Sequence, residues 1–328
     1  MINLIIKDGL GNQMFQYAFA RLLAEKHRQI GENEGIRIIT QFINSRQDAG
    51  NDVRRMSLQH FMLANDVTIM SEQEQARAMR QFKWRTLWTS GLWELVKWRL
   101  LRRYESTDAL AARRGKHGIY YPYGPYTDHP ITLSKCREKF VFGFFQSIRN
   151  VAPIREILLK ELRVKTEPSE ANLHMLQTIS SKNAVCLHIR RGDFLNPRWK
   201  NLQICDFDYY SKAIDIVLGK VEKPAFFVFS NSHEDLEWIA QNYRFPQKYP
   251  GTDQPIEINY VDLNNPDYEE LRLMAACRHF IISNSTFSWW AAWLSENADK
   301  VVCAPERWNL EYDDDYKIYD PSWIKVPR

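Results

Sequence analysis

The sequence predicts an α/β protein of about two domains. Short apolar runs ending in glycine or polar turns alternate with helical patterns, most clearly beyond residue 180, and this implies a parallel sheet covered on both faces. The chain opens on the same unit: an apolar strand, a glycine turn and a helix. Its 328 residues sit near two domains on a prior of about 150 residues each.

Residues 2 to 6 form the first expected strand, Gly9 and Gly11 break it, and Met14 to Lys26 carries helical spacing through Met14, Tyr17, Ala18, Arg21 and Leu22. A second strand is expected at Ile36 to Thr40. From Arg80 to Arg103, Trp84, Leu87, Trp88, Leu92, Leu95 and Val96 recur at helical intervals. They stand among Arg80, Lys83, Arg85, Lys97, Arg99, Arg102 and Arg103, opposed only by Glu94. That pattern reads two ways: a helix packed on a neighbour, or a basic helix lying at an anionic lipid interface. The tract Tyr120 to Tyr126 is a loop by its Pro and Gly content, and its tyrosines suit either a sugar site or loop anchors. Phe140 to Phe145 reads as a strand ending in Gln146 and Ser147, and Pro153 to Val164 as a helix. The polar stretch from Lys165 to Asn183 is where the domain boundary is expected, giving domains of 1–180, with a helical insertion around 70–115, and 181–328.

In the second domain, strand Ala184 to Ile189 is followed by a helix from Asp208 to Leu218, strand Ala225 to Phe229, and a helix capped near Ser232. A short strand at Glu257 to Val261 precedes a helix from Tyr268 to Cys277. Strand Phe280 to Ile282, helix Phe287 to Leu294 and a strand at Lys300 to Cys303 complete the series.

The net charge of +4 is slight and does not by itself imply nucleic acid. The five cysteines are odd in number, widely spaced and mostly inside apolar runs, a pattern of buried free thiols in a reducing compartment. The start is charged too early for a signal peptide, and no stretch approaches the roughly 20 apolar residues of a spanning helix. A cytoplasmic protein is expected.

Three segments carry the chemistry. His188-Ile189-Arg190-Arg191-Gly192-Asp193 follows an apolar strand, the place where an open α/β sheet binds ligands. Two adjacent guanidiniums beside a glycine turn suit a pyrophosphate. The competing reading is a strand end closed by an Arg–Asp ion pair. Ser283-Asn284-Ser285-Thr286-Phe287-Ser288-Trp289-Trp290 follows a strand and opens a helix, with Ser285 or Thr286 as cap. The free N–H groups of such a helix end suit a phosphate, although its aromatic residues also suit a core. Gly9-Leu10-Gly11-Asn12-Gln13 places two amides at a helix entrance after a glycine turn. It is neither a dinucleotide fingerprint nor a G-x-x-x-x-G-K-[ST] loop.

Together the three segments resemble the bacterial α-1,2-fucosyltransferases of glycosyltransferase family 11, with weaker matches at Asp208-Tyr209-Tyr210, Phe226 to Asn231 and Ala304 to Trp308. Two positions depart from the family pattern: Ser232 and Glu270 stand where an acidic residue and an Asp are usual. The resemblance implies a GT-B-type fold, two Rossmann-like domains facing across a cleft, with GDP-β-L-fucose held mainly by the C-terminal domain. It implies inversion at the anomeric carbon, no metal, and a β-galactoside 2-hydroxyl as acceptor, in an O-antigen repeat or related oligosaccharide that can be lipid-linked. Charge building on the departing β-phosphate is then met by fixed donors, with Arg190 as the chosen contact. Arg191 holds the loop or the nucleotide, and His188 and Asp193 fix the strand end. Gly11 and Asn12 are expected to reach the phosphate or fucose, and Asn284, Ser285, Thr286 and Phe287 to serve the phosphates. Asp262, Asp267 and Glu270 stay unranked as readers of guanine. Asp193 and His188 are near the expected site, but neither is assigned as the base for the acceptor hydroxyl.

Two rival readings make different predictions. A metal-dependent transferase would use Asp206-Phe207-Asp208 or Asp313-Asp314-Asp315, neither of which sits cleanly after an apolar strand. A basic nucleic-acid or membrane module built on Arg80 to Arg103 would bind in a salt-dependent manner without regard to GDP. The expected partners are the donor and the acceptor, not nucleic acid, with peripheral contact at the inner membrane through Arg80 to Arg103.

Overall fold

The computed structural model describes residues 1–44, 55–92, 99, 106–121, 131–192, 196–202, 205–310 and 317–327. The chain divides into two units, Met1–Arg163 and Val164–Arg328, each built on a parallel sheet.

In the first unit β1 (Ile2–Ile5) leads into α1 (Leu10–Arg28), β2 (Ile36–Ile39) and the short α2 (Gln41–Asn44). β3 (Val67–Ile69), α3 (Glu72–Thr86) and a π turn at Leu87–Leu92 follow. Then come α4 (Thr107–Lys116), β4 (Ile119–Tyr120), β5 (Lys139–Val141), α5 (Ile148–Val151) and α6 (Arg155–Glu161). The strand order is β3-β2-β1-β5-β4. β1 is buried at all four positions, as a strand covered on both faces must be. Tyr17 and Arg21 on α1 donate to Glu161 of α6 at 2.5 and 3.0 Å, which ties the first helix to the last. The expected helical insertion is occupied by α3, the π turn and α4. α3 is capped by a reciprocal Ser71–Glu74 box and buries Gln75, Ala78, Met79 and Phe82.

The second unit contains α7 (Glu170–Ser180), β6 (Asn183–His188), α8 (Phe207–Lys220), β7 (Pro224–Phe229), α9 (His233–Asn242) and β8 (Ile258–Tyr260). α10 (Asp267–Ala275), β9 (His279–Ile281), α11 (Thr286–Leu294), β10 (Val302–Pro305) and β11 (Ile324–Val326) complete it. Its order β11-β10-β9-β6-β7-β8 is the doubly wound Rossmann arrangement, with the direction of winding reversing between β6 and β9. β6 and β7 are almost wholly buried, and a core of Val185, Leu187, Tyr210, Ile214, Phe226, Val228 and Ile281 lies under α8 and α9. The α/β class and two Rossmann-like units are as expected from the sequence.

The change of unit falls at Arg163, not at 180. α7 belongs to the second unit because Asn172 donates to Asn265 Oδ1 and Glu269 Oε2 at 3.0 and 3.3 Å and accepts from Asn265 at 2.9 Å. The helix predicted from Met14 begins four residues earlier, at Leu10, so Gly11 and Asn12 belong to its first turn. Left-handed backbone in the turn falls on Asp8, at φ 65°, and Gly9 is extended. No helix among the described residues is long and apolar enough to cross a membrane. All five cysteines are free thiols, and Cys186, Cys277 and Cys303 are buried.

Candidate active site

A reversal of winding leaves a crevice at the carboxyl ends of the two strands that diverge there, because their connections leave in opposite directions. In the second unit these strands are β6 and β9, whose C-terminal ends carry the His188 and Ser283 segments. The two segments meet: His188 Nδ1 and Ser283 Oγ lie 2.9 Å apart, and both residues are buried. Burial, reinforced by the Arg190 charge, pushes the His188 ring down to about 3, so it is a neutral strut at physiological pH. The Phe287 ring lies beside it, with centroids 6.2 Å apart.

Arg190 and Arg191 separate into two roles. Arg191 stacks on Trp238 of α9, 3.3 Å from the ring centroid, and its Nε pairs with Asp235 at 3.3 Å. The same carboxylate accepts from Gly192 N at 3.1 Å, and Asn231 Oδ1 accepts from Arg191 N at 3.1 Å. Gly192 sits at φ 43°, a backbone conformation that favours glycine, and a Cβ there would also press on the Asn231 side chain at 3.2 Å. Arg191 therefore holds the loop. Arg190, half-buried, lies close enough to His188 and Glu270 to influence the titration of both. Asp193 lies outside the described residues, as do most of the 120–126 tyrosine tract and Asp313 to Asp315.

Ser285 caps α11, its hydroxyl accepting from Phe287 N at 3.4 Å, and Thr286 and Phe287 form the first turn. Among the described helices of nine residues or more, α1 and α11 alone lack an acidic residue in the first turn, so neither carries its own carboxylate at its positive end. These helices follow the central strands of their sheets. Asn284, expected among the nucleotide contacts, is a scaffold residue instead. Its amide donates to Leu202 O and Trp308 O at 2.9 and 3.1 Å, and its oxygen accepts from Cys205 at 3.6 Å. Trp289, Trp290 and Trp293 fill core, and Trp289 Nε1 donates to Ile318 O at 2.7 Å.

The three acidic candidates are now distinguishable. Asp262 is exposed and pairs with His233 at the head of α9. Asp267 begins α10, and Glu270, one turn on, faces Arg190 electrostatically. Burial, with Asp267 adding repulsion, pushes the Glu270 carboxyl up to about 7. Asp206 and Asp208 serve α8 itself, as N-cap for Tyr209 N at 3.1 Å and as partner of Lys212 at 2.7 Å.

In the first unit the winding reverses between β1 and β5. Gln146, after β5, donates to Asn12 Oδ1 at 2.7 Å. Gln146 is not singled out by the sequence, where its only signal is a polar residue closing an apolar strand. Gln13 is structural: it donates to Asp8 O and Arg55 O at 2.9 and 2.7 Å and accepts from Ser57 N at 3.1 Å. Gln16 brackets Lys7 through both amide ends.

Residues 121–327 match glycosyl transferase family 11. The chain is 27% identical to the O-antigen biosynthesis glycosyltransferase WbnK of Escherichia coli, over 98% of this chain and 99% of that one. It is 28% identical to an alpha-1,2-colitosyltransferase of Escherichia coli over 57% of this chain and 62% of the relative. With galactoside alpha-(1,2)-fucosyltransferase 1 of Homo sapiens it shares 27% identity over 56% of this chain and 48% of the relative. Among solved structures, fucosyltransferase NodZ from Bradyrhizobium aligns at 11% identity over 89% of this chain and 92% of that one, with a TM-score of 0.47.

Because the folded state holds His188 neutral, its contribution to stability is complete above pH 6.5 and is lost as pH falls toward about 3. Urea titrations of the wild type should show stability declining by roughly 1 kcal/mol per pH unit through that window, and His188→Asn should remove that part of the slope. Asp235→Ala takes away the partner of Arg191 and Gly192. It should cost about 1–2 kcal/mol in urea unfolding and lower glycosyl transfer at least about tenfold; an unchanged rate would show that the turn need not be held.

Proposed function

The chain belongs to glycosyltransferase family 11, and from that premise we propose that it is an inverting α-1,2-fucosyltransferase that moves L-fucose from GDP-β-L-fucose to the 2-hydroxyl of a β-galactoside. The observation that supports this reading is the presence, at one reversal point, of a half-buried Arg190 after β6 and, after β9, a helix whose first turn has no acidic residue. Cation and helix dipole together suit a diphosphate leaving group. The relatives' printed activities, an α-1,2 linkage and O-antigen biosynthesis, support the linkage and the acceptor class. The acceptor is a galactose-terminated oligosaccharide, including lipid-linked repeats. The colitosyltransferase relative makes a colitosyl nucleotide the competing donor.

In this reaction the acceptor oxygen attacks the anomeric carbon from the face opposite GDP. The bond between the anomeric carbon and the β-phosphate oxygen breaks with its electron pair leaving on GDP, the acceptor hydroxyl's proton passes to solvent water, and configuration inverts. Arg190 and the Ser285–Phe287 donors meet the charge that grows on the β-phosphate, so the step runs without a divalent ion. Glu270 accepts from guanine N1–H and its amino group. Asn12, whose side-chain oxygen accepts from Gln146, and Gly11 beside it are further substrate contacts in this reading.

Incubation with GDP-fucose and a panel of galactose-ended glycans should give an α-1,2 product by NMR, undiminished by EDTA. Arg190→Ala should keep its fold by circular dichroism and lose about 10²–10³ in kcat. Transfer only from the colitosyl donor, or a metal requirement, would overturn the donor or the mechanism. For Glu270, guanine binds the ionised carboxylate, so GDP affinity should be constant well above pH 7 and weaken below it, by up to about tenfold per pH unit. Glu270→Gln should remove this pH dependence and weaken binding at pH 8, read by calorimetry.

A further inference from the structure

α3 and the π turn that continues it present two unlike faces. The inner face is anchored: Met79 and Phe82 join Ile5, Ile39, Ile119 and Phe140 in one apolar cluster, and Gln75 donates to Met70 O at 2.8 Å. Arg85 also turns inward, donating to Glu138 O at 2.6 Å and lying over the Phe140 ring. Thr89 is buried and accepts from Arg113 through its carbonyl. The outer face carries Trp84 and Trp88, each 63% exposed, and Leu87, 49% exposed. Arg77, Arg80 and Lys83 are exposed beside them. These six recur at spacings of three, four and seven, which sets them along one side of the helix. No Asp or Glu occurs from Gln75 to Leu92, so nothing within the segment opposes the positive charge.

We infer that this outer face is a docking surface for an anionic phospholipid bilayer. The core already has its share of α3, so the indoles and Leu87 are not core side chains facing outward by accident of register. Indole is the side chain best suited to the boundary between headgroups and acyl chains, because its ring is apolar and its N–H is wet. Arginine and lysine interleaved with it attract acidic headgroups while their aliphatic stems lie along the apolar layer. Since no described helix is long and apolar enough to cross, the surface lies on the membrane and does not span it. The inference goes beyond the transfer reaction and does not depend on the identity of the donor.

Flotation of the full chain with phosphatidylcholine vesicles, with and without about one third phosphatidylglycerol, tests it. The wild type should float with the anionic vesicles only, and less at high salt. Trp84→Ser/Trp88→Ser and Arg77→Gln/Arg80→Gln/Lys83→Gln should each lower the bound fraction at least about tenfold, with melting temperature and transfer to a soluble galactoside unchanged. Equal binding to neutral vesicles, full flotation of the double tryptophan variant, or displacement by duplex DNA would overturn the inference. So would a dimer in sedimentation that the double tryptophan variant abolishes, since the face would then belong to a second copy. Flotation contains neither donor nor acceptor, so failure here leaves the transfer assay untouched, and failure of transfer leaves flotation interpretable.

Discussion

The turn after β6 exists because the loop after β7 holds it. Ser230 donates to Ile189 O at 2.8 Å, Asn231 accepts from Arg191 N, and Asp235 takes both the Arg191 side chain and Gly192 N. One strand end is thus shaped by its neighbour, residue against residue, while Trp238 covers one guanidinium. The consequence is selection between two adjacent arginines. With Arg191 spent on this clamp, Arg190 is the guanidinium that lies with His188 and Glu270, so two adjacent arginines of one sequence doublet face different surroundings.

Each unit solves the same problem with different residues. A central parallel strand ends at a reversal of winding, and a polar pair bridges that point, His188 with Ser283 in one unit and Gln146 with Asn12 in the other. The helices that leave both points carry no acidic residue in their first turn, whereas the other long described helices do. A carboxylate there would stabilise the helix by compensating its dipole. Leaving it out costs a little local stability and leaves these first turns without a carboxylate of their own.

Much of this was legible before the structure. β6 and β7 are buried on both faces and read as continuous apolar runs, and α9 begins at the predicted Ser232 cap because serine followed by acidic residues is a local signal. The departure noted at Ser232 also finds its reason: the serine caps the helix, and the acid that grips the Arg191–Gly192 turn is supplied three residues later by Asp235. β4 and β11, of two and three residues, were not legible, since runs that short carry no period and form only by pairing with β5 and β10. The partners of Asn284 were equally hidden, because Leu202 and Trp308 are remote in sequence and meet it only in the folded unit. The same is true of the Asn12–Gln146 contact, 134 positions apart.

The strand orders also bear on how the chain assembles during synthesis. β1 and β6 are the earliest strands of their units, yet they lie mid-sheet, and each waits for a flank that leaves the ribosome much later, β5 in one case and β9 in the other. Pairings so distant along the chain form slowly, since loop closure must precede any gain from contact. A ribosome-bound chain that stops short of β9 therefore carries the Arg190–Gly192 turn without the first turn of α11, so the reversal point of the second unit is completed only late in synthesis.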